Sequence, residues 1–234
     1  MGVDEALLRS AEQGRSTLRF YRWSGQWISL GYSQSCSSSL AGDCARVGVD
    51  WVRRVTGGRA LLHGRDLTYT VAAPRSELPG DLGQVAGQIA MALEKGLRDV
   101  GIPAARTPAD RPSPGSDVFD CFSQPAGNEI VLEGRKLVGS AQRRTRGALL
   151  QHGSICLAAH SGDVRRATRL EGHGSISLEE WGSRVSEEEL REALAAAFGD
   201  SLGVGFQRVE LAPKELLEAS RRSREPSDGP QGPR

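Results

Sequence analysis

The chain has 234 residues, 38% of them hydrophobic, and its 30 Lys+Arg against 29 Asp+Glu leave a formal net charge of +1. That length suits one large domain, and that charge excludes the global polycation that coats nucleic acid. No apolar run approaches the roughly 20 residues that span a bilayer, so no transmembrane helix is expected.

The opening stretch MGVDEALLRSAEQGR lacks the basic-then-apolar order of a secretion signal. Its Val3 to Gln13 region predicts a helix with Leu7, Leu8 and Ala11 on one face. LRFYRW and WISLGYSQ read as strands around Ser24-Gly25, and VDWVRRV as a third that Gly57-Gly58 breaks. Cys36 and Cys44 flank a Ser-rich stretch read as loop. Leu67 to Ala73, LTYTVAA, alternates like a half-buried strand. Gln84 to Val100 predicts a helix, with Val85, Ile89, Leu93 and Leu97 spaced by four and Gly101 placed to cap it.

Thr107 to Ser116 is a Pro- and Ser-rich loop. NEIVLEG, KLVGSAQRR and ALLQHGSICLA then follow as strands, with turns at Glu133-Gly134 and Arg146-Gly147. Ser186 to Phe198 is a helix opened by a Ser186/Glu189 capping box and a Val185–Leu190 staple. A short strand over Gly205 to Leu211 and a helix after Pro213 are expected to complete the fold. The sum is α+β: a mixed, largely antiparallel sheet packed with helices. A single domain is expected over 1–222, with a disordered tail over 223–234.

Four cysteines, with no CxxC pair and no zinc spacing, point to a reduced cytoplasmic protein without a metal site. Cys156 reads as core, and nothing beside Cys36 or Cys44 is placed to activate a thiol. Cys121 follows the irregular loop and is flanked by Phe119 and Phe122, so it reads as a small buried hydrophobe or as a nucleophile. Positive charge is almost all arginine, with lysine only at Lys95, Lys136 and Lys214. Lys136 therefore stands out. It is either an exposed hairpin residue or a compact ammonium that lowers a thiol pKa, 15 residues from Cys121. That spacing lets two neighbouring strands bring the pair together without requiring it. Arg53 to Val71 carries two arginines, a glycine pair and His63; it is a tight turn with solvated arginines or a cradle whose amides bind an oxyanion. His152 alternates with apolar residues as a sheet histidine, and His160 and His173 have no evident partner.

Taken in order, RFYRW, SLGYSQ, RRVTGGRALLHGRDLTYTV, CF, EGRKLVGSAQRR and LLQHGSI resemble the biotin/lipoate A/B protein ligase superfamily. The resemblance is closest to its cysteine-dependent branch, the octanoyl-[acyl carrier protein]:protein N-octanoyltransferases of Gram-positive type. It implies the catalytic-domain fold of biotin and lipoate ligases. It further implies that Cys121 carries an acyl-thioester and that Lys136 lowers its pKa and orients the acyl group. Arg53, Arg54, Thr56, Gly57, Gly58 and His63 match the family's acyl-binding segment, and Gly139, Ser140, Ala141 and His152 join that set. The implied donor is octanoyl-acyl carrier protein, and the implied acceptor is a lysine on the lipoyl domain of glycine cleavage protein H or of a 2-oxoacid dehydrogenase. No cofactor, nucleic acid or membrane is called for.

Two alternatives stay open: an ATP-dependent lipoate–protein ligase, and an octanoyl amidotransferase between lipoyl-domain proteins. The ligases' GGGxVxHDxGN pattern is replaced here by Gly57-Gly58-Arg59 and HGRDLTY, which favours the transferase. The family has a strand before its MALDEALL helix, whereas this sequence begins at MGVDEALL, so that strand is expected to be missing or the start misassigned.

Overall fold

A computed structural model describes residues 1–112 and 119–224. The first helix, α1 (Gly2–Glu12), leads into β1 (Thr17–Tyr21) and β2 (Gln26–Leu30). Next come α2 (Ser38–Arg46), β3 (Val49–Arg53), β4 (Leu61–His63) and β5 (Asp66–Pro74). The long helix α3 (Leu82–Asp99) precedes β6 (Ala105–Arg106), β7 (Ile130–Leu132), β8 (Arg135–Arg144) and β9 (Ala148–Cys156). Four helices close the chain: α4 (Gly162–Thr168), α5 (Leu178–Trp181), α6 (Glu187–Leu202) and α7 (Pro213–Arg224).

Six strands form an antiparallel sheet in the order β1-β5-β9-β8-β7-β6, and β3-β2-β4 form a second sheet with β2 and β3 parallel. The expected α+β fold is therefore present. Period-two alternation assigns the faces of the large sheet. On β5, Leu67, Tyr69, Val71 and Ala73 turn into the main core, where Val85, Ile89, Leu93 and Leu97 of α3 and Leu190, Leu194 and Phe198 of α6 meet them. Between them come Asp66, Thr68, Thr70 and Ala72, all buried on the opposite face. The half-buried strand expected at LTYTVAA is thus covered on both sides.

On that opposite face α1 sets Leu7, Leu8 and Ala11 against Ala72, Ala148 and Leu150. Burying each leucine there contributes roughly 2 kcal/mol. This anchors the start of α1, and with it Asp4.

The capping devices read from the sequence are in place. Ser186 and Glu189 form their reciprocal box at α6, and Asp81 with Gln84 forms another that starts α3 two residues before the expected Gln84. Gly101, at φ +81, follows the last turn of α3. Leu132 pairs with Arg135 across Glu133-Gly134, and both turn residues have positive φ, the geometry of a two-residue hairpin.

Two expectations fail. The Ser-rich stretch between Cys36 and Cys44 is α2 rather than a loop, because Ser37 accepts a hydrogen bond from the Leu40 amide and caps it while Leu40 and Cys44 bury one side. Gly205 to Leu211 is not a strand; its residues are mostly exposed and pair with no sheet. β4, β6, α4 and α5 were not anticipated, each being too short to show a period. The loop expected over Thr107 to Ser116 and the tail expected over 223–234 lie partly outside the described residues, from 113 and from 225 respectively; α7 carries the chain to Arg224.

The contact between α3 and α6 is close at Gly96, where an added Cβ would stand 2.9 Å from Leu194 Cα and Cδ2. Overpacking of about 1–3 kcal/mol then outweighs the gain of up to about 1 kcal/mol that alanine brings to a helix interior. Gly96→Ala is expected to lower the melting temperature; an unchanged or raised value in thermal denaturation would contradict this packing.

Candidate active site

The thiol at Cys121 is positioned by backbone, not by a strand of the large sheet. The Ala60 amide donates to the Phe119 carbonyl at 3.0 Å, and the Cys121 amide donates to the Ala60 carbonyl at 2.9 Å. Asp120 fixes the segment from both sides, accepting from the Phe122 amide and the Gly172 amide at 2.8 Å each. The cysteine itself remains partly accessible.

Lys136 arrives from β8 and is only 2% exposed. Its Nζ donates to the Cys121 carbonyl at 2.8 Å, to Glu129 Oε1 at 2.6 Å and to Cys121 Sγ at 3.7 Å. The Phe122 ring lies 5.4 Å from the same nitrogen. Lys136 is thus no exposed hairpin residue. It and Cys121 also do not sit on neighbouring strands, since the sheet neighbours of β8 are β7 and β9. Burial works against the ammonium, but the Cys121 sulfur and the Glu129 carboxylate together raise its pKa above the ordinary lysine value. Gly139 completes the contact: a Cβ there would stand 3.1 Å from Lys136 Cε and 3.3 Å from Cys121 Sγ.

Behind the sulfur lies Arg54, 5% exposed and not solvated. Its guanidinium donates to the Ser29 carbonyl at 2.8 Å, the Gly57 carbonyl at 2.9 Å and the Arg59 carbonyl at 2.7 Å. It also reaches Thr56 Oγ1 at 3.1 Å and Ser29 Oγ at 3.2 Å. Two relays support those hydroxyls. Thr56 Oγ1 meets His152 Nε2 at 2.7 Å, and His152 Nδ1 meets Asp4 Oδ2 at 2.9 Å. Ser29 Oγ meets His63 Nε2 at 2.8 Å, and His63 Nδ1 meets Asp66 Oδ2 at 2.8 Å, with the imidazole stacked 4.1 Å from Trp23.

Burial pushes His152 below the usual histidine value despite Asp4, so it is neutral near pH 7. Burial also opposes ionisation of Asp4, but the His152 hydrogen bond, helped by the chain's amino group and Arg19, holds it at about 2. Asp66 is likewise depressed: burial works against its charge, and His63, Ser154 and the Gly64 amide overcome that.

A narrow cavity of ≈ 30 Å³ has Cys121, Arg54, Gly58, His63, Gly139 and His152 on its wall, with Ser140 and Ala141 beside them. Eight of the expected site residues thus share one cavity, and Lys136 backs its sulfur. Three do not line it. Arg53 instead binds the carbonyls of Gly31, Tyr32 and Gln34. Thr56 and Gly57 serve Arg54 from behind, as a hydroxyl and a carbonyl. Sequence reasoning missed Asp4, Ser29, Asp66 and Glu129. Asp4 lay inside the quoted MGVDEALL and Glu129 inside NEIVLEG, so both were visible but had no partner in view.

The other thiols are quiet. Burial, reinforced by Asp66, pushes Cys156 up to about 12, and burial raises Cys36 and Cys44. His160, whose Nδ1 lies 3.2 Å from Gln26 Oε1, is pushed down to about 4 by burial.

Asp4 has an ordinary value of 3.8 and a folded value of about 2. The folded value is the lower one, so its stabilisation is complete above about pH 4 and drains away as pH falls toward 2. The shift corresponds to roughly 2 kcal/mol. Asp4→Asn is expected to cost that order of stability at neutral pH and to flatten the acid limb. Denaturant melts from pH 7 down to pH 2 check this, and parallel acid limbs in both proteins would contradict it.

Residues 1–199 match the family described as the lipoyl protein ligase A/B catalytic domain. The chain is 37% identical over 239 residues to the octanoyltransferase LipM of Kyrpidia tusciae, covering 92% of this chain and 86% of that protein. To the octanoyltransferase LipM of Bacillus subtilis it is 32% identical over 241 residues, with the same coverage of 92% and 86%. The crystal structure of lipoate-protein ligase A bound with ATP superposes with a TM-score of 0.76 at 25% identity, over 94% of this chain and 86% of that one. Fold and relatives agree: the chain belongs to the lipoyl protein ligase A/B catalytic domain family.

Proposed function

We propose that this chain is an octanoyltransferase that carries the acyl group as a thioester on Cys121. The observation that bears most weight is the partly accessible sulfur set 3.7 Å from a buried ammonium, in a chain whose relatives are octanoyltransferases. A thiolate is the nucleophile in such an attack, and the ammonium stands beside the sulfur that would carry that charge. The donor is octanoyl-acyl carrier protein. Its thioester carbonyl is attacked by Cys121, the carrier's thiol leaves, and the acyl-enzyme remains. The ε-amine of a lysine on a lipoyl domain then attacks the acyl-enzyme, expelling the Cys121 thiolate and forming an amide. Glycine cleavage protein H is the acceptor this reading favours, with the 2-oxoacid dehydrogenases' lipoyl domains as the other class.

The first exchange replaces one thioester by another and the second is downhill, so no nucleotide is required. The cavity beside Cys121 would receive the alkyl chain, whose six or so methylenes contribute roughly 0.8 kcal/mol each once buried. Arg54 takes no part in the chemistry in this scheme; it holds the carbonyls of Gly57 and Arg59 on either side of Gly58. Residues 1–222 act as one catalytic unit.

Incubation with octanoyl-carrier protein followed by intact-mass spectrometry should show one octanoyl adduct, absent in Cys121→Ser. No adduct on the unmodified chain would end the transferase reading, and an adduct only with ATP and free octanoate would replace it with a ligase. Lys136→Arg should keep the fold yet slow acylation at least about tenfold, because a planar guanidinium does not take the place of a compact ammonium so close to a thiolate. Stopped-time acylation assays with a thermal melt alongside check this, and an unchanged acylation rate would remove Lys136 from its role.

A further inference from the structure

The enzyme proposed above moves an acyl group from a thioester to a lysine, and it already holds a lysine of its own beside that thioester. Lys136 Nζ is 3.7 Å from Cys121 Sγ, so the carbonyl carbon bonded to that sulfur falls within reach of the nitrogen. An amine with a free lone pair at that position is a better-placed acceptor than any lysine arriving on a partner. The reaction balances without another reactant. Nitrogen bonds to the acyl carbon, the C–S bond breaks, and the sulfur leaves as a thiolate that takes the proton released by nitrogen. The products are an octanoyl amide on Lys136 and a free thiol, from which the acyl group does not return.

Before acylation two groups help hold Lys136 as a cation, the Cys121 sulfur and the Glu129 carboxylate. After acylation the sulfur carries no charge. Of the three acceptors around Nζ, the Cys121 carbonyl at 2.8 Å and Glu129 at 2.6 Å remain, and only Glu129 is charged. Lys136 is also 2% exposed, so water does not take over that duty. Arg54, which also feels the sulfur, is itself a cation and cannot take that duty.

Glu129 is fixed to do this. Its second carboxylate oxygen accepts from the Ala126 amide at 2.7 Å. Thr107, 4% exposed, binds both the Glu129 amide, at 3.0 Å, and the Ala126 carbonyl, at 2.6 Å. The carboxylate therefore cannot swing away when the thiolate disappears.

We propose that Glu129 is a positioning residue that keeps Lys136 protonated throughout the cycle, so that the enzyme's own lysine is never the acceptor. In the acyl-enzyme the third Nζ proton, freed from sulfur, points toward the developing oxyanion when the true acceptor attacks. One carboxylate thus prevents self-acylation and leaves a donor available for the second step.

This rests on the thioester reading, and the test separates the two. The full chain is treated with octanoyl-carrier protein, then with hydroxylamine, which cleaves thioesters and spares amides, and its intact mass and peptides are read. The unmodified chain should carry an adduct that hydroxylamine removes; an unmodified chain with no adduct sinks the thioester reading itself. Glu129→Gln, nearly isosteric and able to keep the Ala126 contact, should accumulate a hydroxylamine-resistant octanoyl group on Lys136. Its fraction should exceed that of the unmodified chain by at least about tenfold, since loss of a neighbouring opposite charge moves a pKa by a unit or more. Transfer to a lipoyl domain should then stall after about one turnover. The double variant Glu129→Gln/Lys136→Arg should lose the resistant adduct. A Glu129→Gln enzyme that forms only a labile adduct and keeps turning over overturns the proposal, as does a resistant adduct that survives in the double variant. A measurement free of variants gives a second check. Unmodified acyl-enzyme aged without acceptor at rising pH should acquire the resistant adduct, and its absence up to the pH of unfolding overturns the proposal equally.

Discussion

A guanidinium buried away from water has to be met by acceptors on every side, and at Arg54 no carboxylate among the described residues touches it. Five donors are instead taken up by three carbonyls and two hydroxyls. Such dipoles offset burial only when they cannot turn away. That requirement explains why each hydroxyl is itself held by a histidine and each histidine by a buried aspartate. Asp4 and Asp66 are linked to Arg54 only through two rings and two hydroxyls, without direct contact. Had either acid paired with the guanidinium directly, the side chain would have left the carbonyls of Gly57 and Arg59, and the loop beside the cysteine would have lost its shape.

The two cations around the sulfur are accordingly different in kind. Arg54 is locked by uncharged partners on backbone it shapes, and its five fork-like donors suit that task. Lys136 presents a point charge with three donors, and the site supplies three acceptors of graded type: carbonyl, carboxylate and sulfur. Only the last of these changes charge during the proposed reaction. A lysine stands in a chain otherwise built on arginine because a compact charge fits between Gly139 and the thiol, where side-chain volume is so restricted that even a Cβ on Gly139 would stand 3.3 Å from the sulfur.

Strand alternation makes the coexistence of core and site possible. Each of β5 and β9 gives one set of residues to the helices α3 and α6 and the other to the polar face, where Thr70 pairs with His152 and Thr68 with Ser154. A slip of one residue in β5 would bury Asp66 in the hydrophobic core and turn Tyr69 toward the cavity, and a slip in β9 would turn His152 away from α1. The apolar face therefore sets the register, and the register places the relays.

That division also accounts for what could be read before the structure. Helices α3 and α6, the three-strand run from NEIVLEG to ALLQHGSICLA and the tight turn at Glu133-Gly134 rest on local patterns, which survive in a one-dimensional sequence. α2 escaped because its apolar side is only two residues wide, and the strand expected from Gly205 to Leu211 rested on composition with no partner to pair it. Cys121 and Lys136 were legible through motif order, but the reason for Lys136 was not, since its carboxylate partner had no mark to distinguish it from any acid before a hairpin. Asp4 and His152 are 148 positions apart and meet only because α1 docks across β9. Pairings of that range follow from register and helix docking together. Once β9 is aligned on β5, His152 must face α1, and of the acids in the first turn of α1, Asp4 is the one whose side is buried there, so the relay follows from packing that the apolar residues alone dictate.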